Sequence, residues 1–117
     1  MTAVNFFLDH RGKNPVGDFL DNDKRIKIKA TIIIKNIIEF GLVSAIPHIK
    51  KLSGLSLWEI RILGKDSVRI LYANKIKDEI ILLHAFKKKT NKTPVKEINI
   101  ALNRLKQLYP KYSDLKL

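Results

Sequence analysis

The alternation of apolar and polar residues is clearest over residues 57–94, where it predicts three short strands. In the first of these, apolar side chains occupy every second position: Trp58, Ile60 and Ile62. Glu59 and Arg61 fall on the opposite face, because successive side chains of a strand point to opposite sides. The pattern predicts one face that is buried and one that carries charged groups.

Polar turns at residues 64–67 and 74–78 separate the three strands. Arg69, in the second strand, lies opposite the hydrophobic face of that strand. The third strand, residues 79–86, is apolar apart from His84, which indicates a central strand covered on both faces. This strand leads into a cluster of lysines at one end of the sheet: Lys87, Lys88, Lys89 and Lys92.

The first half of the chain predicts a short strand through Val4 and Phe6, followed by two helices. The first helix starts at Asn14 and Pro15, since Asn is a good cap and Pro lacks an N–H that the first turn does not use. The second helix begins near Asp23 and is closed by a glycine. Its apolar residues recur at helical spacing: Ile26, Ala30, Ile33, Ile34, Ile37 and Ile38.

Residues 42–56 predict a connecting loop that places Lys50 and Lys51 beside the first strand of the meander. Thr93 and Pro94 repeat the cap-and-proline start, and a last helix follows that must end near Tyr109. We expect a tail at 110–117. The order of strand, two helices, three-stranded antiparallel meander and helix predicts a single α+β domain over residues 1–117.

Charge and composition restrict the possible partners. The 117 residues include 23 Lys and Arg against 11 Asp and Glu, a formal net charge of +12, which favours a polyanionic partner. The chain has no cysteine, so disulfides and thiolate metal sites are excluded. The sequence contains neither a signal peptide nor an apolar run long enough to span a bilayer, so we expect a soluble, cytoplasmic protein without a membrane partner.

Three motifs in order carry a family resemblance: LWEIR at 57–61, VRILY at 68–72 and LHAFKKKTNKTP at 83–94. The chain resembles the RelE/ParE toxin superfamily, and within it the HigB-like, phage-derived branch. The resemblance implies a RelE-like toxin of a type II toxin–antitoxin system that cleaves messenger RNA in the A site of the 70S ribosome. It also implies a cognate HigA-like antitoxin with a helix-turn-helix domain, and contact with operator DNA only through the antitoxin complex.

Such cleavage, by attack of the 2′-hydroxyl on the adjacent phosphate, needs a base, an acid and cations for the developing charge. No carboxylate cluster or HExxH-like spacing occurs in residues 57–94, so we expect no metal or other cofactor. Arg61 and Arg69 are the candidates for holding the scissile phosphate. Alternatively, Arg61 forms an ion pair with Glu59, or Arg69 pairs with Glu59 across the hairpin and orients Arg61.

The lysines are candidates for backbone binding, at Lys50, Lys51, Lys87, Lys89 and Lys92. Lys88 is a candidate catalytic group, and we expect Lys88 and Lys89 to point in different directions. His84 is a candidate general base, but a histidine satisfied within the core is an equal alternative. Some RelE-type toxins carry a tyrosine after the last strand, where this chain has none.

Two other functions remain open: a ParE-like inhibitor of DNA gyrase, and a basic RNA- or ribosome-binding module without catalysis.

Overall fold

The computed structural model describes residues 1–64 and 67–109 of the chain. The tail expected at 110–117, and residues 65 and 66 of the first predicted turn, lie outside the described residues. Within them no helix is long and apolar enough to cross a membrane. The fold is α+β, with a five-stranded mixed sheet and four helices, one of them a 3-10 helix.

The elements follow one another in chain order with short connections. The helices are α1 (Pro15–Asp21), α2 (Lys24–Phe40), a 3-10 helix (Leu42–His48) and α3 (Val95–Leu108). The strands are β1 (Ala3–Phe6), β2 (Ile49–Lys51), β3 (Trp58–Ile62), β4 (Val68–Ile76) and β5 (Glu79–Lys87).

The sheet has the order β1-β5-β4-β3-β2, with β1 parallel to β5 and the other pairs antiparallel. The predicted meander is therefore confirmed as β3-β4-β5, but it is extended at both edges. Strand β2 was predicted as loop, and it pairs Lys50 with Glu59. Strand β5 lies between β1 and β4 and is buried on both faces, as predicted for the third strand of the meander, while β4 takes the middle position of the five because β2 adds to β3.

Both faces of the sheet are covered, each by its own hydrophobic cluster. Helices α1 and α2 pack on one face, against a cluster that includes Ile60, Ile70 and Leu82. Helix α3 packs on the other face, against a cluster that includes Leu71 and Leu83. Glu59, Arg61 and Arg69 lie on the α3 face, where α3 leaves one end of the sheet uncovered and open to solvent.

The predicted starts of α1 and α2 are confirmed. The side chain of Asn14 accepts a hydrogen bond from Gly17 N at 2.9 Å, and Asp23 accepts bonds from the first turn of α2. Helix α2 ends at Gly41, whose φ of 84° suits glycine. Helix α3 differs: its cap is Pro94, and no side chain caps it. The capping role expected of Thr93 is wrong, because its hydroxyl bonds elsewhere.

An irregular register in β5 changes the face on which His84 lies. Leu71 pairs with His84 whereas Tyr72 pairs with Leu82, so Leu83 is an extra residue in β5. Strict two-residue alternation along β5 places the side chain of His84 on the same face as that of Leu82, which α2 covers. The bulge instead turns it to the α3 face, where its imidazole Nε2 lies 2.8 Å from the Glu97 carboxylate.

Candidate functional site

The paired strands β3 and β4 place Arg61 and Arg69 directly opposite each other on the α3 face. Like charges at directly opposed positions repel each other unless an anion lies between them. The Nε atoms of both arginines are buried, and neither has a hydrogen-bond partner among the described residues. Both arginines line the same open pocket, where an oxyanion can offset their charges.

An open pocket of about 350 Å³ lies over the two arginines. It is lined by charged and polar groups from β2, β3, β4 and the loop after β5: Lys50, Glu59, Arg61, Ser67, Arg69, Lys88, Lys89, Thr90 and Asn91. We call it the anion pocket, since five of these nine side chains are cationic and one is anionic. Clustered cationic side chains in a cleft with low-dielectric walls create a strong positive potential, which favours the binding of phosphate oxygens.

Glu59 is the single acidic residue of the anion pocket, and it is 1% exposed. Its Oε1 lies 3.5 Å from Arg69 Nε, which makes an ion pair but is too poorly aligned for a hydrogen bond. The predicted alternative in which Arg69 pairs with Glu59 across the hairpin is therefore confirmed. Arg61 instead reaches toward the carbonyl of Pro47, at 3.5 Å from its Nη2.

The lysine loop, residues 88–93, is fixed over the pocket at its two ends and by one hydrogen bond within the loop. Lys88 N donates to Ser67 O at 2.6 Å, and Thr90 Oγ1 donates to Lys92 O at 2.7 Å. Thr93 Oγ1 donates to Glu59 Oε2 at 2.8 Å, which joins the end of the loop to the floor of the pocket. Glu59 thus contacts one arginine with one oxygen and the lysine loop with the other.

The surroundings of Lys88 make its ammonium group more acidic. Burial lowers the pKa of Lys88 below that of an ordinary lysine, and Arg69, Lys50 and Arg61 lower it further, while Glu59 opposes them. Lys89 lines the same pocket and is exposed, whereas Lys88 is half-buried. That the two lysines point in different directions stays a prediction. The strand ends at Lys87, and beyond it the two-residue alternation no longer holds.

A second pocket of about 230 Å³ adjoins the first and shares Lys50, Lys88 and Asn91 with it. Two of the predicted RNA-binding residues, Lys51 and Lys92, line this second pocket. The structure therefore brings seven predicted site residues to one cleft: Arg61, Arg69, Lys50, Lys51, Lys88, Lys89 and Lys92.

The other two predicted residues lie elsewhere. Lys87 pairs with Val68, whose side chain belongs to the cluster under α2. Lys87 therefore lies on the face of the sheet opposite the anion pocket. His84 lines neither pocket. It lies between Glu97 and Arg104 of α3, and Arg104 Nη1 is 3.3 Å from its Nδ1. Burial lowers the pKa of His84, although Glu97 opposes the shift.

Sequence reasoning gave no role in the site to three residues of the anion pocket: Ser67, Thr90 and Asn91. It predicted Glu59 as a partner of the arginines and missed the second contact of Glu59. The partner of its second oxygen, Thr93, is 34 residues away along the chain, and no local pattern announces that contact.

Fold and site together define a small α+β protein with one strongly cationic cleft at an open end of its sheet. A family model described as "Phage derived protein Gp49-like (DUF891)" matches residues 18–106. The chain therefore belongs to the Gp49-like family of phage-derived proteins, which falls in the toxin–antitoxin, RelE-like group. A search of curated proteins found no match.

Proposed function

We propose that this protein is the HigB-like toxin of a type II toxin–antitoxin system and cleaves messenger RNA on the ribosome, in the cytoplasm. The observation that carries the proposal is the opposed pair Arg61 and Arg69 in the anion pocket, which three lysines also line. Membership of the Gp49-like family is compatible with a toxin. In this proposal the strands and helices form a RelE-like fold, to which β2 adds an edge strand.

In the proposed reaction the 2′-oxygen attacks the adjacent phosphorus and the bond from phosphorus to the 5′-oxygen breaks. The products are a 2′,3′-cyclic phosphate and a free 5′-hydroxyl. Arg61 and Arg69 hold the non-bridging oxygens, which gain negative charge in the transition state. Donors that are already positioned stabilise that charge without reorganising, which is why a fixed pair of arginines suits this step.

Lys88 is assigned the proton for the leaving 5′-oxygen. Its pKa, lowered mainly by burial and further by the neighbouring cationic groups, makes the ammonium a stronger acid than that of an ordinary lysine. The proton of the 2′-hydroxyl passes to water or to a group of the ribosome, since no histidine lines the pocket within the described part of the chain. Binding of the message in the A site then aligns the 2′-oxygen with the phosphorus, an alignment that the toxin alone does not supply.

Primer extension on a defined message in a reconstituted translation reaction tests the proposal. Wild-type protein is compared with Arg61→Ala, with Arg25→Ala as a matched control and with a reaction lacking ribosomes. Arg25 lies on the exposed side of α2, so its removal changes the net charge equally without touching the pocket. We expect cuts within codons for wild type and Arg25→Ala, and a loss of about 100-fold or more for Arg61→Ala.

Cuts that persist in Arg61→Ala, or that need no ribosome, would refute the proposed mechanism. An intact message alongside arrested growth would instead favour the ParE-like reading. DNA supercoiling by purified gyrase, with and without the protein, then provides the direct assay.

We propose that the inhibiting partner is a HigA-like antitoxin with a helix-turn-helix domain, and that it docks on α2. Ile28 and Ile32 are 52% and 56% exposed, one turn apart, in a shallow groove of about 430 Å³. Lysines surround them, at Lys24, Lys27 and Lys35. An apolar centre with a cationic rim is complementary to an amphipathic segment with acidic flanks.

Ile32→Asp should abolish co-purification with the helix-turn-helix protein encoded beside this chain. Ile46→Asp serves as the matched control, because Ile46 is 58% exposed and lies in the 3-10 helix. Retention of the partner by Ile32→Asp would exclude α2 as its docking site. A complex that docks on α2 leaves the anion pocket open, so inhibition would arise because the pair is too bulky for the A site. Operator DNA is contacted through the antitoxin.

A further inference from the structure

The second pocket differs in chemistry from the anion pocket that it adjoins. Its floor is aliphatic, formed by Leu52, Leu55 and Ile98, of which Leu52 is 8% exposed. Ser53 and Asn91 supply hydroxyl and amide groups at its rim. Burying a phosphate against three aliphatic side chains is unfavourable, whereas the flat face of a nucleobase gains from the same contact.

The second pocket is formed by elements that are already held in place. Leu52 N donates to Leu57 O at 3.0 Å and Leu55 N donates to Leu52 O at 3.1 Å, which fixes the turn between β2 and β3. Lys51 Nζ donates to Leu55 O at 3.3 Å, so its ammonium lies across this turn. On the opposite wall, Thr93 is held by Glu59. A ligand therefore enters a formed pocket rather than ordering one.

The two pockets share Lys50, Lys88 and Asn91, so they are subsites of one continuous cleft. The first subsite is lined by charged and polar side chains alone, whereas the second combines an aliphatic floor with polar groups and four lysines, Lys50, Lys51, Lys88 and Lys92. A nucleotide likewise joins an anionic phosphate to a flat base with polar edges. We propose that the second pocket binds the base of the nucleotide adjoining the phosphate held by Arg61 and Arg69. This inference rests on the proposed function, since it takes RNA as the substrate.

An acidic peptide is the competing ligand, because its carboxylates suit the anion pocket and its aliphatic side chains suit the floor of the second pocket. The polar rim favours the base. Asn91 and Ser53 both donate and accept hydrogen bonds, as the edge of a base requires, whereas an aliphatic peptide side chain leaves them without partners.

Binding of a 2′-O-methyl RNA tetramer tests the assignment, because the blocked 2′-oxygen prevents cleavage and separates binding from catalysis. The intact tetramer is compared with tetramers carrying one abasic position each, by fluorescence anisotropy on the full chain. We expect one abasic position to weaken binding about tenfold, the effect of losing roughly 55 Å² of apolar contact. Leu55→Ser should weaken the intact tetramer by a similar factor and should not weaken that abasic tetramer further.

Leu63→Ser is the matched control, since Leu63 is 61% exposed and lines neither pocket. Ser53→Gln is a second probe, because it fills the exposed rim without altering the core, and it should reproduce the selective loss. Thermal unfolding of each variant identifies any that fails to fold.

The outcomes separate the two proposals. If every abasic tetramer binds as well as the intact one, or if Leu55→Ser weakens intact and abasic tetramers equally, the base pocket is wrong while the phosphate site stands. If no tetramer binds, the base pocket is refuted, while the proposed function is still decided by primer extension on the ribosome. If Arg61→Ala leaves tetramer binding unchanged, the phosphate site is wrong and the inference is refuted with it. An acidic peptide that binds through Leu55 in place of the tetramer would reassign the pocket.

Discussion

Replacing Glu59 by Gln isolates the effect of the one negative charge in the anion pocket. The substitution keeps the size of the side chain and an oxygen that can accept from Thr93, but it removes the countercharge of Arg69. Arg69 is left at a side-chain exposure of 10% with no anion beside it in the described part of the pocket. We expect the folded state to lose stability and the pocket to bind oxyanions more tightly.

The size of the stability loss follows from the geometry. Two unit charges 3.5 Å apart at an effective dielectric constant of about 20 attract each other by about 5 kcal/mol. Breaking a buried pair by removing one partner costs about 3–5 kcal/mol in proteins. The contact is not aligned as a hydrogen bond and the pocket is open on one side, so we expect the lower end, about 3 kcal/mol. That corresponds to a decrease in Tm of roughly 10 °C.

Urea unfolding with and without inorganic phosphate measures both effects. Phosphate bound only by the folded state adds RT ln(1 + [L]/Kd) to its stability. We expect phosphate to stabilise Glu59→Gln by at least about 1 kcal/mol more than wild type, which corresponds to roughly fivefold tighter binding. Phosphate also stabilises proteins in general, so the informative quantity is the difference between variant and wild type.

Glu39→Gln is the matched control, because Glu39 is exposed near the end of α2 and the same chemical change there should alter neither quantity. If phosphate stabilises Glu59→Gln and wild type equally, Glu59 does not control the charge of the anion pocket. A stability loss below about 1 kcal/mol would show that Arg69 does not depend on its ion pair with Glu59.

The remaining predictions concern other parts of the fold. The pKa of His84 is lowered in the folded state, so the unfolded chain binds more protons in acid and the free energy of unfolding should fall as the pH drops below about 6.5. Urea titrations at about pH 7.5 and 5.5 measure this dependence, and His84→Gln should flatten it. Gly41→Ala should lower the free energy of unfolding by about 1–3 kcal/mol in thermal unfolding, because an alanine is strained at a φ of 84°. Crowding adds little, since the new Cβ would lie 3.7 Å from Thr2 Oγ1. Thr93→Val should cost about 1.5–3 kcal/mol, since it removes a hydrogen bond to the buried carboxylate of Glu59, and equal urea midpoints would contradict that contact.

The elements predicted correctly from the sequence are those whose signals are local. Asn14 and Asp23 cap α1 and α2 through bonds to residues two or three positions away. Gly41 ends α2 because of its own backbone conformation. Such contacts fall within a window that a pattern of residues can reveal, and the same holds for the alternation in β3.

The elements that were missed depend on distant partners. Strand β2 has three residues, Ile49–Lys51, too few to alternate detectably, and it exists because β3 offers an edge for pairing. The bulge at Leu83 interrupts a run of residues that reads as an ordinary strand, and it decides on which face His84 lies. Candidate residues could therefore be named from the sequence, but the sequence did not show which of them share a pocket.

The buried carboxylate explains why this cleft differs from the rest of a basic surface. A net charge of +12 attracts polyanions to the whole molecule and distinguishes no position on it. Opposed arginines without a countercharge would spread apart or bend toward solvent. Glu59 holds Arg69 with one oxygen and the lysine loop with the other, so the donors are in place before an anion arrives. Because Glu59 offsets the charge of Arg69 alone, the pocket keeps an excess of positive charge in a preset arrangement, and an arriving phosphate binds there with little reorganisation.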